Sequence, residues 1–203
     1  MMSKSKIGLY FGSFNPIHIG HLIIANHLVQ HSNLDKVWFV ITPMSPFKKK
    51  KSLLHNQDRL QLVEIALEPY ENLEACTIEF GMPQPNYTIH TLTRLEEKYK
   101  QYDFSLIMGQ DNLNGLYRWK NYERILEQYT IYVYPRVTAQ KLEQQNTSAS
   151  CVSVNHDSVF FVKAPIIELS ATQIRNDIAT KKEVRPLLPP KVWEYIDKNL
   201  WYL

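Results

Sequence analysis

Residues 6–28, KIGLYFGSFNPIHIGHLIIANHL, decide how the chain reads. Ile7 to Phe11 form an apolar run bounded by Gly12, too short for a globular helix, which predicts a buried strand. Gly12, Ser13, Asn15 and Pro16 then supply residue types that tolerate or impose turn geometry. From about Ile19 the spacing predicts an amphipathic helix, with Leu22, Ile23, Ala25, Leu28 and Val29 on one packed face. A strand, a glycine-containing loop and a helix N-terminus make an anion site, because unpaired N–H groups and the helix dipole point into the loop.

His18-Ile19-Gly20-His21 adds chemistry to that site. Two histidines three apart at a helix start share a face, with about 5–6 Å between their Cβ atoms. Gly20 removes a side chain, which predicts room for a large ligand against the backbone. Imidazoles can donate hydrogen bonds to phosphate oxygens and add positive charge when protonated. In isolation such a pair reads as two half-exposed helix histidines, as His27 and His31 do. Directly after a buried strand and a glycine loop, it reads as a phosphate site.

Outward from this unit, Lys36 to Ile41 is a second apolar strand. Strand, helix and strand within about 35 residues are a βαβ unit, which implies a parallel sheet with a right-handed crossover. The loop after it joins rigid prolines to four consecutive lysines, Lys48 to Lys51. A lysine run is usually a solvated face. This one leaves the carboxyl end of a strand, where open α/β sheets bind ligands. Asn56 to Glu68 reads as a helix capped by Asn56, with Leu60, Val63, Ala66 and Leu67 on one face. Leu73 to Phe80 reads as a strand, residues 81–86 as a proline-held loop and Tyr87 to Lys100 as a helix. Phe104 to Met108 is a fourth strand ending in Gly109 and Asp111, an acid suited to ribose hydroxyls. Trp119, between Arg118 and Lys120, reads either as core or as a stacking platform for a ring. Tyr129 to Tyr134 is a fifth strand followed by Arg136, and Val159 to Val162 a last short one. Residues 138–150 are polar and poor in apolar anchors, a surface excursion. Near the end, Ser170 caps a helix bearing Thr172 and Arg175, hydroxyls and a guanidinium fork that suit a polyphosphate.

Composition narrows the classes. The 203 residues are enough for one domain with a full core, and 44% hydrophobic with 21% charged residues is ordinary for a globular protein. A net charge of +3 is too small to argue for nucleic acid and is compatible with small anionic substrates. The two cysteines, Cys76 and Cys151, give neither a disulfide framework nor zinc spacing, which fits a reducing cytoplasm. The start MMSKSK leads straight into a strand, so no signal peptide is expected. No apolar run approaches the ~20 residues of a membrane helix. The absence of GxxxxGK[ST] disfavours a P-loop enzyme. The expected fold is a Rossmann-like three-layer α/β domain with one parallel sheet and a small helical extension over about residues 168–203.

Gly12 to Leu22 resembles the GSFDPxHxGHL signature of the HxGH nucleotidylyltransferase superfamily, with Asn15 in place of the usual Asp. The chain looks most like its nicotinate (or nicotinamide) mononucleotide adenylyltransferases. Asn86-Tyr87-Thr88-Ile89-His90-Thr91-Leu92 is similar to the family's Tyr-Thr segment, where the first threonine sits against the pyridine carboxylate. Residues 118–122 resemble its tryptophan segment. Ser170-Ala171-Thr172-Gln173-Ile174-Arg175 is similar to its Ser-Ser-Thr-x-Ile-Arg motif, and residues 189–196 to its closing helix. Pro46-Phe47-Lys48 matches a Pro-His-Lys segment, with Phe47 replacing the histidine.

The resemblance implies adenylyl transfer from ATP to nicotinate mononucleotide, with Mg²⁺ entering with ATP. It implies catalytic roles for His18, His21, Lys48 and Arg175. ATP would be held by Gly12, Ser13, Phe14, Gly109, Asp111, Ser170, Thr172 and Ile174. Thr88, Trp119 and Arg136 are expected at the mononucleotide. Nicotinamide mononucleotide or pantetheine phosphate as acceptor, a cytidylyltransferase, and a catalytically idle nucleotide-binding regulator stay open. The expected partners are small molecules, with neither nucleic acid nor membrane, and self-association into a homo-oligomer is left open.

Overall fold

The computed structural model describes residues 4–46, 53–135 and 156–203. Six parallel strands form one sheet in the order β3-β2-β1-β4-β5-β6. They are β1 (Ser5–Gly12), β2 (Lys36–Ile41), β3 (Leu73–Cys76), β4 (Tyr102–Gly109), β5 (Thr130–Tyr134) and β6 (Val159–Phe161). The helices are α1 (Ile19–His31), α2 (Asn56–Leu67), α3 (Thr88–Lys98), α4 (Gln110–Asn114), α5 (Tyr122–Gln128), α6 (Ala171–Ala179) and α7 (Pro190–Lys198). β1 lies at the centre, with Leu9 beside Trp38 of β2 on one side and Leu106 of β4 on the other. Val37 to Ile41 are all buried, as expected of a parallel strand covered on both faces.

Two apolar clusters lie on opposite faces of the sheet. One joins Tyr10 and Phe39 to Leu22, Ala25 and Leu28 of α1 and to Leu62, Val63 and Ala66 of α2. The other joins Leu9, Val40 and Leu106 to Ile89, Leu92 and Leu95 of α3 and to Ile125 of α5. The C-terminal helices belong to the first cluster through Ile174, Ile178, Val192 and Ile196, each at most 4% exposed. A fully buried aliphatic side chain contributes about 1.5–3 kcal/mol relative to exposure, so these four bind the extension to the sheet.

Local readings differ from expectation at four points. The strand expected over Leu73–Phe80 stops at Cys76, and Ile78–Gly81 is a 3₁₀ turn, which carries Glu79 inward to accept a hydrogen bond from Thr91. On α1 the buried residue is Ile24; Ile23 is 40% exposed. His55, not Asn56, is the N-cap of α2, and Asn56 Oδ1 instead accepts from Arg59. The space over Gly20 is filled: a Cβ there would lie 3.1 Å from the His18 ring and 3.2 Å from Ile167.

Candidate active site

The strand order reverses direction between β1 and β4, and ligands of open α/β sheets bind outside the carboxyl ends of strands at such a point. Gly12 and Gly109 end these two strands. A Cβ on Gly109 would stand 2.5 Å from Asp111 Oδ1, so only glycine lets Asp111 fold back over the strand end.

The loop from Gly12 to His18 is fixed from below by a buried arginine. Arg59 is 0% exposed. Its Nη1 donates to the carbonyls of Ser13 at 2.6 Å and Thr42 at 3.0 Å, its Nε to that of Leu54, and its Nη2 to Asn56 Oδ1. Burial lowers its pKa, yet guanidinium stays charged in proteins, so the loop rests on a permanent cation. Phe14 has φ 45°, in the left-handed region that bulky residues avoid. That turn drops its ring under the loop, 5.1 Å from the ring of His21 and 5.3 Å from that of Phe39. A Cβ on Gly12 would strike the Phe14 ring at 2.8 Å. Asn15 is also buried, and its Oδ1 accepts from the Leu54 amide at 3.2 Å and the Tyr202 hydroxyl at 2.8 Å.

His18 and His21 are stacked, with ring centroids 3.7 Å apart and planes 24° from parallel. His18 is the N-cap residue of α1 in extended backbone, and its amide donates to His21 Nδ1 at 3.3 Å. An Nδ1 that accepts places the neutral ring's proton on Nε2. His18 is 3% exposed, and His21 is half-buried.

A separate cavity of about 190 Å³ opens beside this loop. Gly12, Ser13 and Thr42 line it from β1 and β2, Thr88 from the first turn of α3, and Trp119 and Lys120 from the stretch after β4. Trp119 is half-buried, packing partly on the second apolar cluster while one side faces the cavity. Thr88 does not cap α3; Tyr87 holds the N-cap position, leaving Thr88 as the first helical residue. Asn86 clasps the loop after β2, donating its amide to the Met44 carbonyl at 2.9 Å and accepting from the Met44 amide at 3.3 Å.

Ser170 caps α6, its Oγ accepting from the Gln173 amide at 3.2 Å. Arg175, one turn on, donates through Nη1 to the Asn15 carbonyl at 2.7 Å and through Nη2 to Thr172 Oγ1 at 3.3 Å. The C-terminal motif and the histidine loop, 160 residues apart in the chain, are therefore in direct contact.

A family model described as Cytidylyltransferase-like matches residues 9–177. Proteins named probable nicotinate-nucleotide adenylyltransferase match along almost the whole chain. The one from Flavobacterium psychrophilum is 55% identical over 97% of this chain and 98% of its own. The one from Bacteroides fragilis is 43% identical over 96% and 92%. The chain belongs to the nicotinate-nucleotide adenylyltransferase family. Two solved structures share the fold: Plasmodium falciparum nicotinic acid mononucleotide adenylyltransferase complexed with NaAD (TM-score 0.76, 17% identity), and the same enzyme complexed with APC (TM-score 0.75, 16% identity). Each covers 98% of this chain and 97% of the other.

For this member of the adenylyltransferase family, the expected site residues divide into three groups. Gly12, Ser13, His18, His21, Thr88, Gly109, Asp111, Trp119, Ser170, Thr172 and Arg175 belong to segments gathered at the carboxyl edge of the sheet. Phe14 and Ile174, expected to bind ATP, are 2% and 0% exposed and pack in the first apolar cluster; their side chains offer the nucleotide no surface. Lys48 and Arg136 lie outside the described residues. Sequence reasoning missed Arg59, Glu79, Asn86 and Tyr202. Arg59 had a signal, a cation on the same helical face as Leu62, Val63 and Ala66.

Proposed function

We propose that the chain transfers the adenylyl group of ATP to nicotinate mononucleotide, giving nicotinate adenine dinucleotide (deamido-NAD) and pyrophosphate in NAD biosynthesis. The observation that carries this reading is the pairing of two sites at one switch point. One is a phosphate-type loop with stacked histidines; the other is an aromatic-walled cavity beside it. Membership in the nicotinate-nucleotide adenylyltransferase family supports the same substrates.

A phosphate oxygen of the mononucleotide attacks the α-phosphorus of ATP in line, and the bond to the β-phosphate oxygen breaks to release pyrophosphate. Such transfer needs orientation and positive charge around the phosphates more than covalent help from the protein. His21 donates through Nε2 to the α- and β-phosphates, and the buried His18 ring stacked on it holds it in place. Arg175 and the first-turn N–H groups of α6 hold the leaving end, and Asp111 accepts from ribose hydroxyls. Thr88 and Trp119 take the pyridine ring. Mg²⁺ on the triphosphate supplies charge neutralisation. Such an ion would be held mostly by phosphate oxygens and water.

The test is incubation with ATP, Mg²⁺ and either mononucleotide, with pyrophosphate and the dinucleotide both measured. Turnover with nicotinate mononucleotide should exceed that with the amide by at least about tenfold in kcat/KM, equivalent to about 1.4 kcal/mol. A backbone donor at Tyr87-Thr88, where α3 starts, would be left unpaired by the amide NH₂. Faster turnover of pantetheine phosphate, or nucleotide binding with no product, would overturn the proposal.

A further inference from the structure

Glu79 is a buried acid in the cavity wall. The residue is 1% exposed, and among the described residues it is the one acid lining the 190 Å³ cavity, as Lys120 is the one cation. Thr91 Oγ1 donates to its Oε1 at 2.7 Å, and the Thr42 hydroxyl is the other group that bears on the carboxylate. The Glu79 carbonyl accepts from Asn86 Nδ2 at 3.4 Å, so the residue also hangs the clasp that joins Asn86 to Met44. Both oxygens are closed off from solvent by the wall, so Glu79 acts on a ligand through its charge and through the wall, not by touching the ring.

We propose that Glu79 sets the choice between an acidic and a neutral pyridine: protonated, it admits the nicotinate carboxylate, and ionised, it repels it. This rests on reading the cavity as the pyridine site. A like charge in a water-poor wall is weakly screened, and a buried carboxyl is costly to ionise. Burial pushes the carboxyl pKa up, while the Thr91 and Thr42 hydroxyls pull it down. The other titratable or charged groups facing it are few. Cys76 on β3 interacts with it, its thiol pushed up to about 11 by burial, and Lys120 sits across the cavity with Nζ 5.0 Å from the Tyr87 ring. A bound nicotinate carboxylate would hold the proton on Glu79 more tightly, because a nearby like charge disfavours the ionised form.

The test is the acid-to-amide ratio of kcat/KM from the ordinary carboxyl range upward to pH 9, for the wild type and Glu79→Gln. Both mononucleotides share a phosphate, so its titration cancels in the ratio. The wild-type ratio should fall by about tenfold or more as pH rises, a one-unit displacement of a single group. In Glu79→Gln the ratio should stay flat, with KM for ATP unchanged. An equal slope in both proteins, or no slope in the wild type, overturns the role of Glu79. No preference for the acid at any pH would instead overturn the reading of the cavity. Should Glu79→Gln fail to fold, calorimetry of the wild type in two buffers decides. Nicotinate mononucleotide should take up more protons on binding than the amide, and equal uptake sinks the proposal.

Discussion

The two edges of the sheet contrast in size and in chemistry. The amino edge carries a groove of about 1160 Å³, rimmed by Lys4, Lys6, Lys100, Lys163, His27 and His31. The carboxyl edge carries a cavity of about 190 Å³. The larger space is the one away from the histidine loop and the Ser170 helix. At the amino edge the helices end, and carbonyl ends attract cations: His31 closes α1 and Lys98 closes α3. Its charges also neutralise one another, as Lys4 does with Asp103 at 3.5 Å. At the carboxyl edge helices begin, and the stacked imidazoles and the Arg175 guanidinium gather on the loop between Gly12 and His18. Volume is therefore a poor marker of chemistry here, and helix polarity a good one.

The sharpest way to break the contrast is His21→Ala. Removing one donor to a developing phosphate charge should lower kcat by ~10²–10³-fold. Full activity in a folded His21→Ala protein would detach the carboxyl edge from catalysis. His18→Ala is a less clean probe, since the ring is buried and its loss would also disturb the loop.

Next in size is Arg59→Met. It leaves the carbonyls of Ser13, Thr42 and Leu54 short of a donor, at about 1–3 kcal/mol for each one that water cannot reach. Urea unfolding should show a loss of at least about 2 kcal/mol, and an unchanged midpoint would mean that the loop does not need its cation. Trp119→Ala sharpens the division within the carboxyl edge. It should raise KM for the mononucleotide by about tenfold, or 1.4 kcal/mol, and leave that for ATP alone. Equal losses for both substrates would return Trp119 to the core. The smallest effect is expected at the other edge. A His27→Ala/His31→Ala double variant should keep kcat/KM within about twofold, since substitutions away from a site or core cost little. A larger fall would give the amino groove a share in the reaction.

The parts of this fold that were legible in the sequence are those set by neighbours along the chain. Ile7 to Phe11, the turn at Gly12 and the helix from Ile19 follow from local period and turn chemistry, and the sheet follows from repeating that unit. Ser170 as a cap is equally local, and its Oγ does accept from Gln173. Residues whose meaning comes from distant partners were not legible. Glu79 looked like part of a strand because nothing nearby announces Thr91 as its donor. Phe14 sits in a motif, and only the packing against Phe39 and His21 shows that its ring is buried beneath the loop. Tyr202 gives no local sign that its hydroxyl reaches back to Asn15.

That last contact ties the two ends of the chain into a single latch. Asn15 receives Tyr202 at 2.8 Å across 187 residues and Arg175 at 2.7 Å across 160. Burial raises the Tyr202 phenol pKa, which keeps the donor protonated across the physiological range. Segments joined this way open together rather than fraying separately, as one sub-global unit. Tyr202→Phe should cost about 1 kcal/mol, the net worth of one hydrogen bond. In hydrogen exchange, the amides of Ser13 to Asn15 and those of α6 and α7 should then speed up in step, while β1 and β4 keep their protection. Independent changes in the two segments would show that the loop and the C-terminal helices breathe on their own.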